Sequence, residues 1–223
     1  MIKYFLNFFN FLGWYLTGRL KIGRKKRKKS ALIEFNSYIN KLKKKSLVID
    51  AGANLGEVSK FFLDKGFIVH AFEPDPIAIK NFNKSALKNK DLILNQSAIG
   101  LKNENKILYR YRKFDENKPN STEGSSMLAN RAARGKPHTE IIVINFIEYI
   151  KSLKKNVSMI KMDIEGKEIE IINELIDKKL NEKIGFIFVE THERFSHKLA
   201  VETCKLKLRI KKNNIKNINL DWL

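Results

Sequence analysis

One group of residues in this 223-residue chain has the types and spacing to hold a nucleoside. Asp50, Gly52, Asn54 and Gly56 lie in the run SLVIDAGANLGEVSKFF, and Glu73 follows in FEPDP, twenty-three residues beyond Asp50. Glycines let a backbone turn sharply and approach a ligand closely. A helix starting after them offers free N–H groups to a negative group. An acid about 20 residues further on is placed to accept both hydroxyls of a ribose. NAD suits this turn poorly. The third glycine of the dinucleotide fingerprint is missing, and Asp50 at a strand end would repel a pyrophosphate. A carboxylate there suits a ligand with a positive amine or sulfonium, such as S-adenosylmethionine.

The surrounding pattern predicts the elements that position these residues. Ala31 to Leu42 has helical spacing, and SLVID reads as a short buried strand ending at Asp50. Helices are expected over Glu57–Lys65, Ile77–Leu87 and Lys167–Asp177. Further strands are expected over 67–72, 92–100, 106–112, 140–146, 157–164 and 184–190, with KLKLRI and IKNINLDWL as antiparallel edge strands. Apolar strands alternating with amphipathic helices mean a mostly parallel sheet covered on both faces. Ligands of such sheets bind beyond the carboxyl ends of the strands, at the topological switch point. The residues just past those ends are therefore the candidates.

Those ends carry a family resemblance. VIDAGANLG, FEPDP, SAIG, GSS and above all IKMDIEGKE with VETHE resemble the FkbM-type methyltransferases, in the right order over about residues 31–190. The resemblance implies an α/β, Rossmann-like seven-stranded methyltransferase fold and S-adenosylmethionine as cofactor. It implies that Asp50, Gly52, Asn54 and Gly56 line the methionine end and that Glu73 binds the ribose hydroxyls. Asn95, Gln96, Ser97 and Ala98 would lie near the adenine, with Ser97 and Ala98 as contacts. Asp163 and Glu165 would stand beside the transferred methyl, Gly166 would permit the tight turn, and Glu168 would open the next helix. The implied reaction is O-methylation of a sugar or glycan hydroxyl.

Methyl transfer to a hydroxyl needs alignment of the nucleophile and a group to take its proton. The catalytic candidates are Asp163, Glu165 and His192, the last titrating in the useful range. Asp163, Glu165, Glu168 and Glu190 could instead supply oxygen ligands to a divalent cation such as Mg²⁺. No spacing demands one, and no metal site is assigned.

Charge is unevenly distributed. The chain carries +20 overall: residues 1–45 hold +12, residues 46–204 only +3, residues 205–216 +6, and Asp221 the remaining −1. A nucleic-acid enzyme needs positive charge around its cleft. The near-neutral centre therefore weakens the alternative of a nucleic-acid methyltransferase or nucleic-acid-binding protein. So does the absence of an N-P-P-aromatic motif after Met162. A non-enzymatic protein on a degenerate fold of this kind is countered by the intact turn at 50–56.

The first thirty residues differ from the rest and are treated as a separate segment, 1–30, ahead of a catalytic domain over 31–223. Tyr4 to Leu16 is dominated by Phe, Leu, Tyr and Trp, and Arg19 to Lys29 adds eight Lys/Arg and no acid. A thirteen-residue helix is about 20 Å long, too short for a roughly 30 Å hydrocarbon core. Lys3, Asn7, Asn10, Trp14 and Thr17 share one side of the wheel. An aromatic face followed by a polybasic run predicts a helix lying in an anionic membrane interface, with a lipid-linked acceptor explaining it. The competing reading packs that helix on the protein's own core. A single cysteine, Cys204, excludes a disulfide within the chain and predicts a reducing compartment. The expected location is cytoplasmic, peripheral on the inner face of the membrane. The polar segment 113–140 is too long for a simple connection and predicts a lid or binding loop, with Ser125 and Ser126 near cofactor or acceptor and Arg131, Arg134 and Lys136 facing an anionic acceptor.

Overall fold

The computed structural model describes residues 10–18 and 23–222. Residues 10–18 are helical (α1), so the expected aromatic helix is present from Asn10; its earlier part, with Lys3 and Asn7, lies outside the described residues, as do Arg19 and Lys21. Helix α2 (Arg24–Ile39) runs through residues 30 and 31 without a break.

Among the described residues, nine strands follow in two sheets. The main sheet joins β1 (Leu47–Ala51), β2 (Ile68–Phe72), β3 (Leu92–Asn95), β7 (Val157–Met162), β8 (Ile184–Val189) and β9 (Ile218–Asn219) in the order β3-β2-β1-β7-β8-β9. Every pairing in it is parallel. The smaller sheet orders β4 (Ala98–Gly100), β6 (His138–Asn145) and β5 (Glu104–Tyr109) as β4-β6-β5, with β5 antiparallel. The run 92–100, expected as the third strand and its exit, supplies β3 to the main sheet and, past Gln96–Ser97, β4 to the smaller one.

β1 shows why the sheet is covered on both faces. All five of its residues are buried. Leu47, Ile49 and Ala51 point into one apolar cluster with Ile171, Ile172 and Leu175 of α7 (Glu168–Asp177) and Phe146 and Ile147 of α6 (Phe146–Ser152). Val48, between them, points into the other cluster with Phe35 of α2 and Phe62 of α3 (Glu57–Asp64). Strand alternation with two apolar faces is the mark of a doubly covered parallel sheet. The α/β Rossmann-like architecture is as expected.

Three local expectations are corrected. KLKLRI is not a strand but part of α8 (His197–Lys212). Its alternating Lys and Leu imitate period two, but the buried residues Ala200, Thr203, Cys204 and Leu206 have helical spacing, and the Ser196 hydroxyl caps the helix by accepting the Leu199 N–H at 3.1 Å. IKNINLDWL yields only β9, and β9 is parallel to β8. The intervening helix carries the chain back across the sheet, which is how parallel neighbours are connected. Among the described residues of this tail, antiparallel geometry is confined to the bridge Glu190–Asp221. The helix expected over 77–87 also breaks, into α4 (Pro76–Lys80) and α5 (Lys84–Leu87). The Asn83 side chain restarts it by accepting the Ser85 and Ala86 N–H groups.

The order β3-β2-β1-β7-β8-β9 sets the switch point between β1 and β7. The turns leaving those two strands are Gly52–Gly56 and Asp163–Gly166. No helix among the described residues is long and apolar enough to cross a membrane.

Candidate active site

The turn after β1 is built against the exit of β7. Gly52 has φ +78°, and a Cβ there would lie 1.7 Å from the Asp163 carbonyl oxygen. Only glycine allows both that backbone angle and that approach. The N–H groups of Gly52 and Ala53 donate to the Phe72 carbonyl at 2.9 and 3.0 Å, which ties the turn to the end of β2. Gly56, φ +80°, serves packing: a Cβ there would meet the Phe82 ring at 2.4 Å.

Asp50 lies beneath this turn and is wholly buried. It accepts the Ser59 hydroxyl at 2.7 Å through Oδ2, and its Oδ1 is 3.2 Å from Lys161 Nζ. Lys161 is its direct neighbour in the β1–β7 register and also donates to the Gly52 carbonyl at 2.7 Å. Burial opposes the ammonium, but Asp50, with Asp163 and Glu73, outweighs it and raises the Lys161 pKa. Asp50 and Gly56 therefore brace the turn from below and stay out of the cavity wall.

Above the turn is a cavity of about 580 Å³. Gly52, Asn54, Glu73, Ser97 and Ala98 line it, as the sequence expects. Asn95 and Gln96 do not. Asn95 instead donates from its side chain to the Ala71 carbonyl at 3.1 Å. Glu73 presents a carboxylate to this half. Its Oε2 accepts the Asn54 N–H at 2.7 Å and its Oε1 the Asp75 N–H at 2.9 Å. Desolvation pushes its pKa up to about 7, against the lowering effect of those two N–H groups.

Asp75, two residues on, is a group that motif reading passed over. It caps α4 by accepting the Ile77 N–H and forms a two-pronged ion pair with Arg110, which is 1% exposed. Arg110 Nη2 reaches Asp75 Oδ1 at 3.0 Å, and its Nη1 bonds Asp75 Oδ2. This pair fastens the loop after β5 to the segment carrying Glu73.

The second half of the cavity is the exit of β7. Asp163 and Glu165 line it. His192 is 2% exposed and stands behind them. Its Nε2 is 3.2 Å from Glu165 Oε2 and 3.7 Å from Asp163 Oδ1, and its Nδ1 donates to Glu168 Oε1 at 2.9 Å. Glu168 also accepts the Ile164 N–H at 3.0 Å and the Gly166 N–H at 3.0 Å. One buried acid thus holds both the histidine and the turn. Burial works against the imidazolium, but Glu168, then Glu165 and Asp163, outweigh it and raise the His192 pKa to about 9. The same pairing overcomes burial at Glu168 and lowers its pKa. Desolvation raises Glu165 to about 7 despite His192. Glu165 has φ +59° and Gly166 φ +118°, so the turn is held in left-handed backbone.

The segment 113–140 closes one side of the cavity. Ser126 donates to the Glu165 carbonyl at 2.6 Å, Thr122 donates to Asn54 Oδ1 at 2.8 Å, and Leu128 packs where a Gly166 side chain would go. Arg131 lies over the Phe195 ring at 3.7 Å and the Tyr111 ring at 4.8 Å. Lys136 donates to the Phe114 carbonyl at 2.7 Å, and Arg134 is exposed. Tyr15 Oη of α1 lies 2.7 Å from His197 Nδ1. The described part of the aromatic helix thus touches the domain, while its Leu12 and Leu16 are exposed.

A family model described as the Methyltransferase FkbM domain matches residues 50–207, from the end of β1 into α8. No curated protein and no solved structure matches the chain.

Proposed function

Because the chain belongs to the FkbM methyltransferase domain family, we propose that it is an S-adenosylmethionine-dependent O-methyltransferase whose acceptor is a sugar or glycan hydroxyl. The observation that carries the cofactor reading is Glu73. Each of its oxygens accepts one backbone N–H and keeps a further lone pair. A carboxylate so held at the end of β2 fits the two hydroxyls of a ribose. Gly52 supports the fit, because any side chain there would fill the space between the turn and Asp163.

When bound, S-adenosylmethionine supplies a methyl carbon on a sulfonium; its C–S electron pair stays with sulfur as the new C–O bond forms. The chain's own residues do the rest. Asp163 and Glu165 receive the acceptor hydroxyl at the far end of the cavity and take its proton. His192 is sealed behind them and positions Glu165 rather than meeting the acceptor. Ser126 holds the Glu165 backbone, and the 113–140 segment keeps water from the reacting atoms. Alignment and desolvation are the main contributions such a site makes.

The acceptor is proposed to lie at an anionic membrane surface. What supports this is the exposure of Leu12 and Leu16 of α1 together with that of Lys25, Lys26, Lys28 and Lys29 of α2. Two experiments test the reading. Mass spectrometry of glycans from cells with and without the gene is expected to show one methyl group lost from a hydroxyl; unchanged glycans sink the acceptor class. Flotation with anionic liposomes is expected for the full chain and not for residues 31–223; equal flotation sinks the membrane role.

A further inference from the structure

The atoms facing one another behind the acceptor end of the cavity have an arrangement that proton transfer alone does not need. Asp163 Oδ1, Glu165 Oε2 and His192 Nε2 all lie within 4.8 Å of one another. All three are buried and make no hydrogen bond. His192 Nε2 faces both carboxylate oxygens, at 3.2 and 3.7 Å, and atoms so placed converge only with positive charge between them. The protonated ring supplies that charge when no ion is bound, and an ion bound there takes the proton's place.

We propose that Asp163 Oδ1, Glu165 Oε2 and His192 Nε2 form a binding site for a divalent first-row transition-metal ion. The proposal deepens the acceptor side of the reading above and rests on that reading for the ion's purpose, though not for its binding. Three observations support it. Ligands about 2.0–2.2 Å from an ion stand about 3–3.5 Å apart, which the 3.2 and 3.7 Å separations of His192 Nε2 from the two carboxylates approach. The other ring nitrogen, Nδ1, donates to Glu168 Oε1, and a carboxylate on the far nitrogen is the usual support of a metal-bound histidine. It directs the Nε2 lone pair toward the two acids. Finally, Glu165 is held in left-handed backbone, which aims its carboxylate at this point at a conformational cost.

The donor set selects the ion. One imidazole nitrogen with two carboxylates suits Mn²⁺, Fe²⁺, Co²⁺ or Zn²⁺, whereas Mg²⁺ and Ca²⁺ favour oxygen alone. Asp163 and Glu165 also face the cavity, so the ion keeps open positions on that side. An acceptor hydroxyl bound there is polarised and gives up its proton more readily. Glu165 Oε1 is left to receive it. The oxygen keeps both electrons of the broken O–H bond and attacks with them.

The test is a titration of full-length protein, stripped with chelator and desalted, with Mn²⁺ alone. The electron paramagnetic resonance signal of free Mn²⁺ reads binding, and neither cofactor nor acceptor is present. A failed methyl-transfer reading therefore leaves this result untouched. One Mn²⁺ per chain is expected, displaced by Zn²⁺. His192→Gln and Asp163→Asn are each expected to weaken binding at least about tenfold, and Glu168→Gln by about 10–100-fold. Asp163→Asn alters a side chain that is 29% exposed, so it keeps the test decisive if His192→Gln does not fold. No loss of free signal with protein in excess overturns the proposal. So does binding that Asp163→Asn leaves unchanged, which would put the ion elsewhere.

Discussion

His192 Nδ1 and Glu168 Oε1 stand 2.9 Å apart in a fully buried hydrogen bond, and the same carboxylate receives the backbone N–H groups of Ile164 and Gly166. Glu168 is the first residue of α7, so one side chain links the exits of β7 and β8 to a helix start. Asp163 and Glu165, the two carboxylates that face the cavity from the exit of β7, are placed by an acid that does not.

Removing that acid is expected to cost more than an ordinary helix cap. In Glu168→Ala, three buried N–H donors lose their acceptor, and breaking a buried charged pair costs about 3–5 kcal/mol. Glu168→Gln keeps a carbonyl oxygen for one or two of them and is expected to lose less. Urea unfolding of the three proteins measures this. An alanine variant as stable as the parent would show that the turn is held by something else.

Two glycines with similar backbone angles are expected to respond differently to alanine. Gly135 has φ +73° with nothing within 4 Å of a built Cβ, so Gly135→Ala carries only the conformational cost, about 1–2 kcal/mol. Gly52, φ +78°, adds a 1.7 Å collision with the Asp163 carbonyl. Gly52→Ala is expected to separate β1 from β7 at their ends, with a larger stability loss and loss of S-adenosylmethionine binding. Thermal melts and calorimetry of both variants check the contrast. Equal losses would mean that the approach of the two turns does not matter.

Glu73 makes cofactor affinity depend on pH. Desolvation holds its pKa near 7, above the ordinary 4.5. The fold thus favours the protonated form: the stability it contributes is fully present below 4.5 and lost as pH rises through 7. Ribose hydroxyls donate, so they need the ionised form. S-adenosylmethionine affinity is therefore expected to rise between pH 6 and pH 8 as stability falls. Glu73→Gln should flatten both trends. Calorimetry at the two pH values measures the first and thermal melts the second. A variant with the parent's slopes would place the titrating group elsewhere.

The Asp75–Arg110 pair is expected to matter for the shape of the cavity rather than its chemistry. Both side chains are almost fully buried, and Asp75→Ala leaves the Arg110 charge without its partner. The expected loss is about 3–5 kcal/mol. Because Glu73 Oε1 accepts the Asp75 N–H, cofactor affinity should fall with it. Denaturant unfolding reads the loss. An unchanged midpoint would show Arg110 satisfied by another group.

Much of this site was legible because its residues sit at strand ends, where alternation of strand and helix makes the positions countable. Gly52, Asn54, Glu73, Asp163 and Glu165 were found that way and come together at one cavity. Asp50 was read as a ligand contact because a carboxylate at a strand end is a familiar signal. The missing clue was Lys161, a lysine inside an apolar strand, which needs a buried acid on a neighbouring strand. Arg110 and Asp75 carried no spacing signal at all, since their pairing crosses thirty-five residues and depends on how the second sheet packs. The tail misled for a different reason. Six residues alternating between basic and aliphatic side chains fit a strand, and only the longer window from His197 shows the helical period.

Binding of the cofactor is the most direct point of test. Isothermal titration of S-adenosylmethionine into the full-length protein at pH 8, beside Glu73→Ala, tests it. One site per chain is expected, weakened at least about tenfold, or 1.4 kcal/mol, in the variant. Absence of binding by the folded parent protein, or equal affinity in the two, would contradict it.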